Sequence, residues 1–271
     1  ERRWSVNLSR ASEENVHVGE TLGICAYLAP NRIPVDWFET ELRESFGVLE
    51  AFGFCHRGAE EGYISMHALV QLMSRRKDTE RLALQTAVDL LNTKWGYAEE
   101  EFHIPKEVKQ NAAHVEMIAR HLKEAKIHTE QVVGLLMLLG TFQRVRALFG
   151  LSEKTFQEVL EVMRALYREE AQHPDTAKVL SNLGVVALQQ GELERAKERS
   201  MQALEMMQAL YGEEASHPHV ASVLMNLGSV ALQQEELELA KERSMQALKM
   251  MQALYGEEAS HPHVASVLMN L

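Results

Sequence analysis

The C-terminal part of the chain repeats itself every 44 residues, and this periodicity limits the folds that it can adopt. His173, His217 and His261 begin successive copies, and the differences 217 − 173 and 261 − 217 both equal 44. The first two copies are complete and nearly identical, whereas the third stops at Leu271. A fixed period of this size is typical of stacked units that share one continuous core. The sequence therefore predicts a repeat array.

Each copy predicts a helical hairpin. In the first complete copy, apolar residues recur at helical spacing over about residues 174–190 and again over about residues 193–210. The polar segment Gln-Gln-Gly-Glu between the two runs favours a tight turn. Pro218 and its equivalents stand at the start of each copy. Proline is favourable at the first position of a helix, because the amide hydrogen that it lacks would have no partner within the helix. We therefore expect two antiparallel helices in each copy.

Small residues at regular positions resemble those of a known repeat family. Glycine and alanine let the two helices approach closely, while leucines fill the space between hairpins. The pattern consists of Leu180, Leu183, Gly184, Ala187, Ala196, Ala203 and Leu204. It resembles the tetratricopeptide repeat, whose standard length is about 34 residues, and the longer units resemble those of kinesin light chain. The resemblance implies an α-solenoid that binds a protein or peptide ligand on its concave face.

A degenerate unit precedes the complete copies. Gly140 lies 44 positions before Gly184, and Met163 lies 44 positions before Met207. Terminal repeats are often atypical. We therefore predict that the tetratricopeptide repeats occupy residues 129–271 and that the last one is incomplete.

The N-terminal part predicts a different, smaller domain. Its apolar runs and turn residues predict, in order, helices at about 21–28, from about 34 and at about 46–52, strands at 53–57 and 63–66, and a helix at 67–75. Three helices, a β-hairpin and a closing helix are the order of a winged-helix domain, which we place at residues 19–77. We interpret residues 1–18 as the end of a preceding helical element.

Residues 78–128 predict a helical bridge, with helices at about 80–95 and about 106–126. Its histidines are spaced by 11, 7 and 7 positions, so no two of them lie on adjacent helical turns as metal ligands would. We interpret these residues as surface histidines: His103, His114, His121 and His128. The predicted fold is then mainly α, namely a winged-helix domain, a helical bridge and an α-solenoid, with no metal site.

Three short segments resemble the winged-helix domain of STAND-class signalling ATPases, whose nucleotide-binding module is called NB-ARC. They are Ile-Cys-Ala-Tyr-Leu-Ala-Pro at 24–30, Ile33-Pro34, and Ile-Ser-Met-His-Ala-Leu-Val-Gln at 64–71. The resemblance implies that His67 contacts the β-phosphate of ADP in the closed, inactive parent protein. ADP or ATP would bind an upstream nucleotide-binding domain, and activation could produce an oligomer.

The resemblance at His67 is not complete, and a second interpretation stands beside it. Ala68 occupies a position where plant members of the class have aspartate, so any contribution of that carboxylate is missing. A histidine between a strand and a helix also suits a residue that caps a backbone group. Both the phosphate contact and the capping role remain open at this point.

Differences between the two complete copies predict a ligand surface. On the first helix the copies differ at positions 175, 178, 181 and 185, whose steps of three, three and four place them on one stripe. In tetratricopeptide arrays the first helices line the concave surface. The predicted ligand-binding residues are Lys178, Ser181, Asn182, Val185, Ser222, Met225, Asn226, Ser229 and Asn270. The alternative is that an exposed stripe simply drifted after duplication.

Composition excludes several classes of function. The chain has 28 Lys and Arg against 39 Asp and Glu, and this net charge of −11 opposes nucleic-acid binding. Cys25 and Cys55, the only cysteines, suit a reduced cytoplasmic setting. No apolar run approaches the roughly 18 residues of a membrane span, so we expect no membrane partner. The sequence also contains no P-loop motif, and no local motif supports a catalytic triad or a paired-carboxylate site.

These features lead to three hypotheses, in all of which this chain is not itself an enzyme. The first is the regulatory portion of a STAND-type NTPase, in which the repeats bind a protein or peptide trigger and the winged helix reports the nucleotide state. The second is a tetratricopeptide adaptor without a nucleotide switch, and the third, weaker one is a winged-helix transcriptional regulator. Because Glu1 is not a natural start and Leu271 ends mid-repeat, we interpret the chain as part of a longer cytoplasmic protein.

Overall fold

A computed structural model describes residues 2–58, 60–97, 104–167, 173–212 and 216–255. The elements in chain order are α1 (Arg2–Glu14), α2 (Val18–Cys25), β1 (Ile33–Pro34), α3 (Thr40–Ala51), β2 (His56–Arg57), β3 (Tyr63–Ser65), α4 (Ala68–Arg75), α5 (Leu82–Lys94), α6 (Lys106–Ala125), α7 (Glu130–Val145), α8 (Phe149–Tyr167), α9 (Pro174–Gln189), α10 (Leu193–Tyr211), α11 (Pro218–Gln233) and α12 (Leu237–Tyr255). The chain divides into two compact units, residues 1–139 and residues 140–271, and the division falls within α7.

The first unit is built around α2, which packs against α1, α3, α4 and α5. This helix is short and apolar, and it buries Val18, Leu22, Ile24 and Cys25. A side chain from α4 binds the carbonyl group at the end of α2 and a second one three residues later, because the buried Gln71 amide donates to the carbonyl groups of Cys25 and Leu28 at 2.9 Å each. The glutamine in the sequence motif therefore caps α2.

The predicted β-hairpin and closing helix are confirmed as β2, β3 and α4, and β1 pairs with the other edge of β3 to give a sheet in the order β1-β3-β2. The helix predicted at about 46–52 is confirmed as part of α3, whereas the separate helix predicted from about residue 34 is wrong. Pro34 is extended and pairs opposite Tyr63, a single 3₁₀ turn follows at Val35–Trp37, and one helix, α3, covers the rest. The backbone is extended again at Phe38, whose buried ring packs edge-on against Phe46 at 5.0 Å.

Both helices predicted for the bridge are confirmed as α5 and α6, but the surface interpretation of its histidines is wrong for His114. This side chain is 1% exposed. Its Nδ1 accepts a hydrogen bond from the Ala29 amide at 3.0 Å, so its Nε2 carries the proton and donates to the Arg32 carbonyl at 3.0 Å. Burial lowers the pKa of His114 to about 4. His121 is half-buried, His128 is exposed, and His103 lies outside the described residues.

The second unit consists of the predicted helical hairpins. α9 packs against α10 and α11 packs against α12, while α8 and α10 contact the first helices of the following hairpins. A buried apolar cluster joins the two hairpins, and its members are Ala177, Leu180, Ala203, Leu204, Met207, Val220, Ala221, Val223, Leu224, Leu227, Ala247 and Met251. Met207 and Met251 help to fill this core, and each is 1% exposed.

Glycines allow the close helix approach that the sequence predicts. A Cβ atom at Gly184 would lie 2.5 Å from Ser200 Oγ and 3.3 Å from the Ala196 carbonyl oxygen. At Gly228 the corresponding atom would lie 3.0 Å from Ser244 Oγ. The 2.5 Å separation at Gly184 is too short for a methyl group, and the 3.0 Å separation at Gly228 is tighter than most Cβ contacts, so the two helices of each hairpin approach closely at these glycines.

Candidate functional site

The predicted ligand residues occupy neighbouring helices of the second unit. We call this set the first-helix surface, and its described members are Lys178, Ser181, Asn182 and Val185 on α9 and Ser222, Met225, Asn226 and Ser229 on α11. Each of the eight residues is half-buried. Asn270, the remaining predicted residue, lies outside the described residues.

A hydrogen bond joins the two halves of the first-helix surface. The Asn226 amide nitrogen donates to Ser181 Oγ at 3.1 Å, from one repeat to the preceding one. The Asn182 side-chain amide makes no such bond within the described part of the chain. Of the two asparagines, Asn182 therefore keeps its amide available for a ligand, while Asn226 partly serves to link the repeats.

Other members of the surface are committed to local contacts. Lys178 Nζ lies 3.0 Å from Asp175 Oδ1, so part of its charge is neutralised within α9. Ser222 Oγ donates to the Pro218 carbonyl at 3.0 Å, one turn earlier on α11. Met225 packs against the apolar cluster of the second unit, so it contributes to the core as well as to this surface.

A histidine begins each first helix at the edge of the surface. His173 Nδ1 accepts the Asp175 amide and His217 Nδ1 accepts the His219 amide, each at 3.2 Å. Each of these histidines therefore caps the start of its helix. Burial lowers the pKa of His217 and of His219, and the positive charge of Lys178 lowers both further. At neutral pH the imidazoles of His217 and His219 are therefore mainly uncharged.

Sequence reasoning missed the partner of these histidines. The Tyr211 ring stacks on the His217 ring with centroids 3.9 Å apart, and Tyr167 stacks on His173 at 4.2 Å. The last tyrosine of one repeat therefore holds the first residue of the next. The signal was present, since each tyrosine precedes its histidine by six positions (217 − 211 and 173 − 167).

His67, the predicted phosphate contact, lies at the N-terminus of α4. Its side chain is exposed, and Nδ1 accepts the Leu69 amide at 3.1 Å. The capping role is therefore confirmed. With Nδ1 acting as acceptor, the neutral imidazole carries its proton on Nε2. The phosphate contact stays a prediction.

The second unit also has a cleft of about 230 Å³ between α8, α9 and α10. Arg195 lines it, but this guanidinium pairs with Glu153 and with Glu192, and these contacts raise the pKa of Arg195. Because the charge is balanced within the chain, the cleft offers no free cation at Arg195.

In the described ranges, no group of three or more His, Cys, Asp or Glu side chains could hold a metal ion. A search of the same ranges finds no helix both long and apolar enough to cross a membrane.

Comparison with known proteins identifies the repeats. Residues 132–209 and residues 220–263 each match a family model described as tetratricopeptide repeat. A solved structure, the crystal structure of BtubC (BKLC) from P. vanneervenii, aligns with a TM-score of 0.48 and 20% sequence identity, over 70% of this chain and 80% of that one. A search of curated proteins found no match.

Proposed function

We propose that this chain, whose C-terminal part carries tetratricopeptide repeats, is a protein-interaction scaffold. Its first-helix surface binds an extended segment of a partner protein. Stacked helical hairpins create elongated surfaces that suit such a ligand. The observation that carries the proposal is the half-buried state of all eight described residues of this surface, along two neighbouring helices. A ligand could contact them without displacing the core.

The chemistry of the first-helix surface favours a peptide backbone over a charged ligand. Serine hydroxyls and the free Asn182 amide can both donate and accept hydrogen bonds. Lys178 is already paired with Asp175. An extended peptide presents alternating amide and carbonyl groups that match these side chains, and residues that differ between copies would select among its side chains.

Exchanging residues between the copies tests the scaffold function. Peptides selected from a random library on the wild-type chain would be compared with those selected on a variant carrying Lys178→Ser, Ser181→Met and Val185→Ser. We expect a different consensus sequence. Glu205→Lys, an exposed second-helix residue changed to its counterpart in the next copy, should select the same peptides as the wild type. An unchanged consensus for the triple variant would refute the assignment.

A second candidate is the regulatory portion of a STAND-type NTPase, with ADP or ATP bound by a nucleotide-binding domain outside this chain. Two observations support it. Residues 18–75 follow the order helix, strand, helix, hairpin, helix, which suits a winged-helix domain. His67 is exposed at the start of the last helix, where backbone amides and the helix dipole also favour a phosphate. Ligand bound to the repeats would then shift the protein away from its ADP-bound state.

The capping role of His67 decides how this second candidate is tested. His67→Asn retains a side chain that can cap the Leu69 amide but removes the imidazole. In a longer protein that carries the nucleotide-binding domain, we expect faster ADP release and higher basal activity from this variant. ADP release at the wild-type rate would exclude the phosphate contact, without affecting the scaffold function of the repeats.

A further inference from the structure

The first unit contains a cavity of about 490 Å³ that is rich in arginine. It lies beside α4, the start of α5 and the end of α6, and its charged lining residues are Arg75, Arg76, Arg81, Arg120 and Glu124. Four guanidinium groups and one carboxylate give it a formal charge of 4 − 1 = +3, in a chain whose net charge is −11. Such a local reversal of sign favours an anionic ligand.

Three of these arginines lack a carboxylate partner within the described ranges. Arg75 donates to the Ala26 carbonyl, and Arg120 contacts Met117 Sδ. Arg81 Nη1 makes long contacts to the Asp78 carbonyl oxygen at 3.3 Å and to Tyr27 Oη at 3.4 Å. Their charges are therefore not balanced by an ion pair. This distinguishes them from Arg195 in the second unit.

The carboxylate of Asp78, which contacts Tyr27 of the cavity wall, is occupied by other hydrogen bonds. Asp78 accepts the Tyr27 hydroxyl at 2.8 Å and the amides of Ala83 and Leu84 at 3.3 Å each. Asp78 thus caps the start of α5 and orients Tyr27, which lies 2% exposed in the wall of the cavity. Glu124 is the remaining acid; its Oε2 lies 3.5 Å from His121 Nδ1, and its side chain is 66% exposed.

His121 provides an independent sign of an unfilled polar site. It lines the cavity, and its Nε2 is buried without a hydrogen-bond partner in the described part of the chain. Burial lowers the pKa of His121 and the nearby charge of Arg75 lowers it further, while Glu124 opposes this shift. Burial likewise lowers the pKa of Arg75, and Arg120 adds to this effect while Tyr27 and Glu124 oppose it. An anion between Arg75 and Arg120 would relieve the repulsion between their two positive charges.

We propose that this cavity binds the phosphate monoester of a small molecule. Arg75, Arg81 and Arg120 hold the phosphate, because a planar guanidinium can donate two parallel hydrogen bonds to it. The organic part of the ligand lies against Leu72, which is 41% exposed beside them. The volume falls within the roughly 300–1,000 Å³ of small-molecule sites, so there is room for more than a phosphate ion.

Calorimetric titration of the 271-residue chain tests the proposal, with phenyl phosphate, inorganic phosphate and benzoate compared at equal ionic strength. We expect phenyl phosphate to bind most tightly, because it combines a dianion with an apolar ring. Arg120→Gln and Arg81→Gln should each weaken it by about tenfold or more, the effect of losing one charged hydrogen bond. Arg10→Gln, which changes an exposed arginine on α1, should bind like the wild type.

Other outcomes would overturn the proposal. Absence of binding to the wild type, or equal affinity of both cavity variants and the wild type, would exclude the site. Benzoate binding as tightly as phenyl phosphate would exclude selection for a phosphate. A phosphoserine peptide that binds more tightly than phenyl phosphate would exclude the small-molecule assignment. Circular dichroism of each variant confirms that it is folded, and Arg81 and Arg120 are exposed enough for this to be expected.

Discussion

Replacing Gly184 by alanine should force apart the two helices of one repeat. The added methyl would lie 2.5 Å from Ser200 Oγ and 3.3 Å from the Ala196 carbonyl oxygen. The hydroxyl could move only within a closed space, since Ser200 is 0% exposed, and the carbonyl belongs to the backbone of α10. Local deformation of a packed helix is costly, so α10 as a whole must shift.

Two opposing effects set the size of this change. Alanine in place of glycine inside a helix stabilises the fold by about 0.5–1 kcal/mol. Overpacking a close contact costs about 1–3 kcal/mol. A separation of 2.5 Å lies well inside van der Waals contact, so the cost falls in the upper part of that range. We expect Gly184→Ala to lower the free energy of unfolding by about 1–2 kcal/mol.

Urea unfolding followed by circular dichroism, with hydrogen exchange of α9 and α10, measures the effect. Gly47→Ala is the matched control, because Gly47 is exposed within α3 and a Cβ there meets nothing within 4 Å. It should be slightly stabilised. Ser200 Oγ is buried without a hydrogen-bond partner in the described residues, so adding Ser200→Ala should restore much of the loss. If the Gly184→Ala variant were as stable as the wild type, the close approach of α9 and α10 would be contradicted.

Three further predictions probe other parts of the fold. Glu235 and Gly191 occupy the same turn in successive copies, with φ angles of +63° and +78°. In urea titrations Glu235→Gly should therefore stabilise the chain by about 1 kcal/mol, and Gly191→Glu should destabilise it by about as much. His114 has a pKa of about 4 when folded and about 6.5 when unfolded, so the free energy of unfolding should fall as the pH drops from 6.5 to 4. Urea unfolding at several pH values should show a smaller fall for His114→Gln. Burial raises the pKa of Cys25 and raises that of Cys55 to about 12, so neither thiol should react with an aromatic disulfide reagent before urea unfolds the chain, as followed by absorbance.

The repeats could be predicted from the sequence because their signals are periodic. A period of 44 residues fixed the equivalence of positions, and the helical spacing within one copy then defined α9 and α10 to within one residue at each end. Glycine at 184 indicated the close approach directly. Repetition made every such inference testable against a second copy, α11 and α12.

The first unit was harder to predict because its order depends on contacts between distant residues. Val35, Phe38 and Leu42 have helical spacing, yet β1 pairs with β3 and Phe38 packs on Phe46, which draws the backbone into an extended path. His114 was assigned to the surface for a similar reason. Its two partners lie more than 80 residues away, and nothing in its local sequence indicates them.

The hydrogen bond between Ser181 and Asn226 changes what the variable stripe means. Ser181 accepts the hydrogen bond from Asn226, whereas its counterpart in the next copy, Met225, packs against the core. The two copies therefore differ at this position in the contacts that stabilise the first helix as well as in the side chain available to a ligand. Exchanging Ser181 for methionine removes the acceptor for Asn226 and frees a second asparagine amide. The exchange variant therefore tests recognition only if its unfolding free energy is measured beside its peptide preference. A changed peptide preference at an unchanged free energy of unfolding would come from the surface residues themselves. If the change came from a loosened contact between the two first helices, the free energy of unfolding would fall as well.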